Sequence, residues 1–394
     1  MSRIVLISNG HGEDIIGAAL AQELRALGYT LQAVPLVGRG GVYEEAGFVV
    51  LGPRQEMPSG GFALQSLAAI WADLKAGWVS MSLAHYRAVK EAAQEAVATL
   101  VVGDVYALLV GYFMGRPPLF LMQCRSSLRA WQPQGWSRPY SALERFLMRR
   151  AVGVYPREPE GEHWLRAHGV PHACYLGNPM LDALEGVPLE LKPPYLLLLP
   201  GSRRDAYESL PKMLEACRLL SDTGLTPVVA WAGLSLEGWS GAEGWKLEPT
   251  GRQEGITHTL NHPDGTRVYL SQGAFRDCIL GAKVAISTSG TAAEQAAGYG
   301  VPLVSFPTSG PQYTPAFAAQ QKRLLREALL LVEPHPEAIA QGVRQFWGSP
   351  ELLEQARAAG RAAMGVPGAA RRIALEIHRQ LQATDQGSGQ CPSR

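Results

Sequence analysis

Three turns in this chain carry the residue types that chemistry needs. The first is Asn9-Gly10-His11-Gly12-Glu13-Asp14, directly after the strand-like run Ile4–Ser8. Glycines between a buried strand and a helix let the backbone approach a ligand closely. Free N–H groups at the helix start then attract an anion. Gly10 and Gly12 supply that approach, and His11, Glu13 and Asp14 add three titratable side chains. The spacing is neither a GxGxxG fingerprint nor a P-loop, since no Gly-Lys-Ser/Thr follows. An ordinary βα turn with Asp14 as the helix cap is the alternative.

The second turn is Leu199-Pro200-Gly201-Ser202-Arg203-Arg204. Gly201 permits a tight turn, Ser202 can donate to a phosphate oxygen, and Arg203 can bind one in bidentate fashion. The third is Ser287-Thr288-Ser289-Gly290-Thr291, where a strand ends and a helix opens. Ser289, Gly290 and Thr291 form a second helix start suited to a diphosphate. Glu294 or Gln295, one turn further on, could reach ribose hydroxyls. Two such turns at the carboxyl ends of parallel strands face the same crevice. Together they point to a nucleoside diphosphate.

Asp104 ends the run Leu100–Gly103 and could act as a general base. It could equally cap the helix that starts at Val105. No two aspartates are separated by a single residue, so a DxD metal site is absent. Phosphate charge then falls to helix ends and arginine, and no metal or cofactor is expected.

Two stretches suit lipid. Leu64, Leu67, Trp71, Leu74 and Trp78 fall on one helical face, fit for acyl chains, a bilayer interface or the core. Cys124–Arg150 carries Arg125, Arg129, Arg138, Arg145, Arg149 and Arg150 against Glu144, with Trp131, Trp136 and Tyr140 interleaved. Arginine with tryptophan suits a phosphorylated head group or an anionic bilayer. RNA would also suit, but 36 Lys+Arg against 35 Asp+Glu weighs against nucleic acid.

These turns need strands and helices to hold them. Strand-like runs at Ile4–Ser8, Leu31–Leu36, Val101–Gly103, Leu119–Gln123, Gly153–Tyr155 and Ala173–Leu176 alternate with helical patterns such as Ile15–Leu27. The cycle restarts after Pro193-Pro194 with Tyr195–Leu199, Pro227–Trp231, Val284–Ser287 and Leu303–Phe306, and with helices at Tyr207–Ser221 and Ala292–Tyr299. That rhythm is βαβ, hence parallel sheets. With 394 residues, two α/β domains facing a central cleft are expected. Trp245–Leu270 breaks the rhythm and reads as a β-hairpin around Pro263-Asp264-Gly265. The tail from Ala383 is Gly/Ser/Gln-rich and is expected to be disordered. Five scattered cysteines without a CxxC pair exclude a disulfide scaffold and fit a reducing compartment. No uncharged apolar run reaches spanning length.

In order along the chain, these motifs resemble the lipid-A-disaccharide synthase family, glycosyltransferases of the GT-B type. The similarity runs through Asn9–Leu20, Gly103-Asp104, Leu128–Arg138, Gly177–Asp182, Leu197–Arg203 and Ser289–Ala293, with Pro302 keeping its spacing. His11-Gly12-Glu13 stands where the family has small hydroxyl-bearing residues. Asn178 replaces a histidine, and Gln295 stands where its ribose-binding glutamate is expected. The resemblance implies two Rossmann-like domains, residues 1–185 and 186–366; the hairpin 245–270 in the second is an addition to the family's pattern. It implies a C-terminal helix, 367–384, crossing back to the first domain, with 385–394 as the tail.

The resemblance also implies UDP on the second domain, a lipid-linked acceptor on the first, and a cytoplasmic location at the membrane surface. The expected reaction is inverting, metal-independent transfer from a UDP-sugar to a lipid or lipid-phosphate acceptor. Asp104 is the base, with His11 or Glu13 as alternatives. Gly201, Ser202, Arg203, Ser289, Gly290, Thr291, Glu294 and Gln295 hold the donor. Gly10, Gly12, Asp14, Arg125, Arg129 and Trp131 face the acceptor. A UDP-N-acetylglucosamine 2-epimerase-like enzyme and an inactive UDP-sugar-binding protein are the rival expectations.

Overall fold

A computed structural model describes residues 2–37, 39–54, 78–127, 139–184, 187–232, 234–236, 239, 242–251, 254–310 and 312–388. Leu64, Leu67, Trp71 and Leu74 of the apolar face, and Arg129 and Trp131, lie outside these residues. The chain divides into two compact units, Met1–Ala183 with Pro367–Arg394, and Leu184–Val366.

The first unit is a six-stranded parallel sheet. Its strands are β1 (Arg3–Ser8), β2 (Thr30–Pro35), β3 (Val49–Val50), β4 (Ala96–Gly103), β5 (Leu119–Gln123) and β6 (Gly153–Pro156), in the order β3-β2-β1-β4-β5-β6. Helices cover both faces, so central strands read as unbroken apolar runs. Ile4, Val5, Leu6 and Ile7 are all fully buried. The helices are α1 (His11–Ala26), α2 (Gly41–Glu45), α3 (Trp78–Gln94), α4 (Val105–Met114), α5 (Ala142–Met148) and α6 (Pro159–Ala167). Strand order reverses between β1 and β4. In open α/β sheets, ligands bind at the carboxyl ends flanking such a switch. The Asn9 and Asp104 turns follow those two strands. Ala173–Leu176 is not a strand: Ala173 makes only an isolated bridge to Val154, within a loop.

The second unit repeats the plan. Its strands are β7 (Tyr195–Leu199), β8 (Thr226–Ala230), β9 (Lys246–Pro249), β10 (His258–Asn261), β11 (Arg267–Ser271), β12 (Ala282–Ser287), β13 (Leu303–Ser305) and β14 (Leu329–Leu331). Their order is β14-β13-β12-β7-β8-β11-β10-β9. The expected hairpin is present as β10 and β11, in antiparallel register. It is more than an inserted hairpin, because β11 also pairs in parallel with β8 as a strand of the main sheet. β9 and β10 extend that edge antiparallel. The helices are α7 (Asp205–Arg218), α8 (Phe275–Gly281), α9 (Thr291–Gly298), α10 (Pro315–Leu325), α11 (Pro336–Trp347) and α12 (Pro350–Met364). Here the switch lies between β7 and β12, which are followed by the Gly201 and Ser289 turns.

The last helix, α13 (Ala369–Ser388), belongs to the first unit. Asp182 anchors its start by accepting from the amides of Gly368 and Ala370. Tyr29 and His378 share a hydrogen bond of 2.9 Å between α13 and the first unit's body. The helix runs to Ser388, past residue 385 where the tail was expected to begin, and 389–394 lie outside the described residues. Among the described residues, no helix is long and apolar enough to cross a membrane.

Candidate functional site

In the first unit, the switch point brings Asn9 and Asp104 together. The Asn9 amide donates to Asp104 Oδ1 at 2.8 Å. Asp104 also caps α4, accepting from the Tyr106 N–H at 3.0 Å through the same oxygen. Capping and catalysis are therefore compatible readings. Burial raises the Asp104 pKa above the ordinary carboxylate range, against the lowering pull of the Tyr106 amide; Glu144 adds to the rise and Arg125 opposes it. Gly103 before it has φ +153°, and a Cβ there would press on Asn9 at 3.0 Å. A glycine is needed for the two turns to meet.

Behind the Asn9 turn runs a buried hydroxyl chain. Tyr43 donates to Ser8 Oγ at 2.9 Å, and Ser8 donates to Asp14 Oδ1 at 2.5 Å. Asp14 is only 2% exposed, so it faces the interior and neither caps α1 nor lines a surface. Glu13 folds toward Gly10, where a Cβ would come within 2.9 Å of its carboxylate. Among the described residues, a Cβ on Gly12 would meet nothing within 4 Å. His11 opens α1, and its side chain lies outside the described residues.

Arg125 donates through one nitrogen to both Glu144 oxygens, at 2.7 and 2.9 Å, and to the Pro139 carbonyl. The next two residues are fixed by buried Glu158, which accepts from the hydroxyls of Ser126 and Ser127 and from the Ser127 amide. Glu158 escaped the sequence reading, because nothing in an isolated carboxylate announces a partner 31 positions away.

In the second unit, the two turns at the switch are laced together. The Thr288 N–H donates to the Leu199 carbonyl at 3.0 Å. The Thr288 hydroxyl lies 3.1 Å from the Pro200 carbonyl and 2.9 Å from Ser209 Oγ. Gly201 takes φ +101°, as the tight turn requires. Ser202 and Arg203 are exposed. Arg203 forms no ion pair among the described residues. Gly290 starts α9, and no side chain caps it. The Ser289 N–H is already donated to Ser287 Oγ at 3.1 Å, while Thr291 is exposed. Glu294 and Gln295 are buried, and Glu294 accepts from the Gln321 amide at 3.2 Å. Among the described residues, no three His, Cys, Asp or Glu side chains are grouped to hold a metal ion.

A curated lipid-A-disaccharide synthase from Solibacter usitatus (strain Ellin6076) is 25% identical over 191 residues, 45% of this chain and 44% of that protein. The chain thus spans less than half the length of the curated relative it matches. No family model matches the chain. Among solved structures, CalG4, the calicheamicin glycosyltransferase, superposes with a TM-score of 0.62 at 17% identity, over 97% of this chain and 98% of that one. The UDP-GlcNAc 2-epimerase from Neisseria meningitidis, bound to UDP-GlcNAc, gives 0.54 at 14% identity, over 97% and 100%. The fold is GT-B.

Each GT-B domain of this chain therefore carries its expected turns at its own switch point. Sequence reasoning missed Asp205 at the start of α7, whose only signal was its place just after Arg203-Arg204. It also missed the role of Asp14. Burial lifts the Asp14 pKa from 3.8 to about 7; the Ser8 hydrogen bond opposes the rise and Glu13 adds to it. A carboxyl raised in the folded state binds its proton more tightly folded than unfolded. Its stabilising contribution is full below about pH 4 and disappears as pH climbs toward 7. The ceiling is roughly 4 kcal/mol. Asp14→Asn should flatten this dependence: wild-type denaturation midpoints should fall between pH 4 and 7.5, and those of D14N should fall less. Parallel curves would show that Asp14 does not carry the proton.

Proposed function

We propose that this protein is an inverting, metal-independent glycosyltransferase that moves a sugar from a UDP-sugar to a lipid or lipid-linked acceptor. The observation that carries this reading is the second unit's switch point. An uncapped helix start lies beside a glycine turn that presents an arginine with no ion pair among the described residues. That is a site for a diphosphate. The partial identity to a lipid-A-disaccharide synthase supports a lipid acceptor.

In this reaction Asp104 takes the proton of the acceptor hydroxyl, burial having raised its pKa and so strengthened it as a base. His11 and Glu13 are the alternative bases. The hydroxyl oxygen bonds to the anomeric carbon as the bond to the diphosphate breaks, and UDP leaves with the electron pair. Ser202, Arg203 and the α9 start at Ser289–Thr291 meet its growing charge. Glu294 and Gln295 support the ribose end. Gly10, Gly12, Arg125, Arg129 and Trp131 serve the acceptor side, with Asp14 acting from behind the turn. The enzyme works at the cytoplasmic membrane surface. On α5, Leu143 and Phe146 are 48% and 44% exposed beside Arg145, Arg149 and Arg150, an apolar and cationic face suited to anionic lipid.

A UDP-N-acetylglucosamine 2-epimerase activity is the second reading, favoured by the likeness to the Neisseria meningitidis enzyme. The two separate in one experiment: UDP release from a panel of UDP-sugars, with and without total lipid extract, followed by mass spectrometry of the lipids. Lipid-dependent release with a hexose-sized mass gain supports the transferase. Interconversion of the UDP-sugar without lipid supports the epimerase. Neither outcome, with UDP still raising the melting temperature, leaves a binding protein.

A further inference from the structure

The second unit holds a carboxylate that the proposed reaction does not use. Asp205, the first residue of α7, is 6% exposed. Its Oδ2 accepts from the Thr308 hydroxyl at 3.1 Å, the Gln312 N–H at 3.0 Å and the Tyr313 N–H at 3.1 Å. One turn along, Glu208 accepts from the Ser309 N–H at 3.0 Å. Thr308, Ser309, Gln312 and Tyr313 are thus tied to α7 by its buried first carboxylate and by Glu208. Gly310 faces Asp205 so closely that a Cβ there would overlap the carboxylate.

The loop after β13 reaches the α9 turn by a defined route. Ser305 Oγ lies 2.7 Å from the Ser287 carbonyl and 2.7 Å from the Tyr313 hydroxyl. Ser305 has one proton, and it goes to the carbonyl, so Tyr313 is the donor in the second bond. Ser287 in turn holds the Ser289 N–H. The Tyr313 ring also packs edge-on against Phe317, 5.4 Å between centroids, and Phe317 adjoins Gly290.

We propose that Asp205 is a positioning residue for the donor diphosphate, clamping the loop after β13 to α7 so that the Arg203 turn and the α9 start keep their spacing. The inference rests on the UDP reading of this site. It also accounts for a local oddity of charge. A carboxylate two positions from Arg203 should neutralise it, yet Asp205 spends its charge on two amides and a hydroxyl. Arg203 is left to an external anion.

The test is calorimetric titration of UDP into the full chain and its variants, with melting temperatures in parallel. Positioning and simple charge predict opposite signs. Removing an anion near a diphosphate site should tighten UDP if charge alone mattered, whereas loss of the clamp should weaken it. D205A is expected to weaken UDP about tenfold. G310A, which keeps the charge but displaces the loop, should weaken it similarly. D205N should stay close to wild type, because its amide oxygen still accepts. T308V deletes one donor and is the mildest to folding, so it should show a small loss in the same direction. Tighter binding by D205A and D205N, or wild-type affinity in folded G310A and T308V, overturns the proposal. No binding of UDP by the wild type overturns the UDP reading itself, and this inference with it.

Discussion

Asp104→Asn is expected to cut lipid-dependent UDP release by about 10²–10⁴-fold while leaving UDP affinity and the melting temperature unchanged. The substitution separates the two jobs of this side chain. The hydrogen bonds from Asn9 and from the Tyr106 N–H land on the same oxygen, Oδ1. An asparagine oxygen accepts both, and asparagine caps a helix as well as aspartate does. What asparagine cannot do is take a proton. Asp104→Ala is a poorer test, since it also removes the cap at a cost of about 1 kcal/mol. The pH profile supplies a second check. A base must be deprotonated to work, and burial holds this carboxyl's pKa up. Wild-type activity should therefore fall on its acid side at a higher pH than an ordinary carboxylate would give. Unimpaired turnover by D104N would reduce Asp104 to a cap and move the base to His11 or Glu13.

The strands and their turns were legible because parallel sheets buried on both faces demand continuous apolar runs. Tyr195–Leu199 and Leu119–Gln123 fall within the bounds seen in the structure. Helix starts were less legible. α1 begins at His11, inside the glycine turn, because no capping side chain marks the place. Ala173–Leu176 has strand composition but only the one bridge to Val154, and composition cannot supply a neighbour. The three-residue β14 and two-residue β3 were invisible for the same reason: such pieces gain their hydrogen bonds only from a sheet already built.

The site divides in the same way. Positions set by local geometry could be read directly: Gly201 in its turn, Gly290 at its helix start, Asp104 after its strand. Residues that act across the fold could not. Asp205 meets its partners 103 to 108 positions away. The Ser8–Asp14 bond is short in sequence, but Ser8 also accepts from Tyr43, 35 positions away. A titratable residue in a glycine turn looks like a ligand contact until its burial is known.

Arg203→Ala is expected to weaken UDP by about tenfold to a hundredfold, the worth of a charge-assisted hydrogen bond of roughly 1.5–3 kcal/mol. What decides the outcome is how the arginine is engaged without ligand. It is exposed and forms no ion pair among the described residues, so its removal costs the fold little. The whole effect should appear in binding. Arg203→Lys keeps the charge and loses the planar fork, so it should recover only part of the affinity. Exposed charges are screened, so the gap between wild type and R203A should narrow as salt rises. Uridine offers the internal control: it lacks the diphosphate, and R203A should bind it as wild type does. Arg204 is the decisive comparison, being equally exposed and one residue closer to α7. A loss confined to R204A would assign the phosphate contact to the wrong arginine here. A loss in neither variant would leave the α9 start as the only anion site at this switch point.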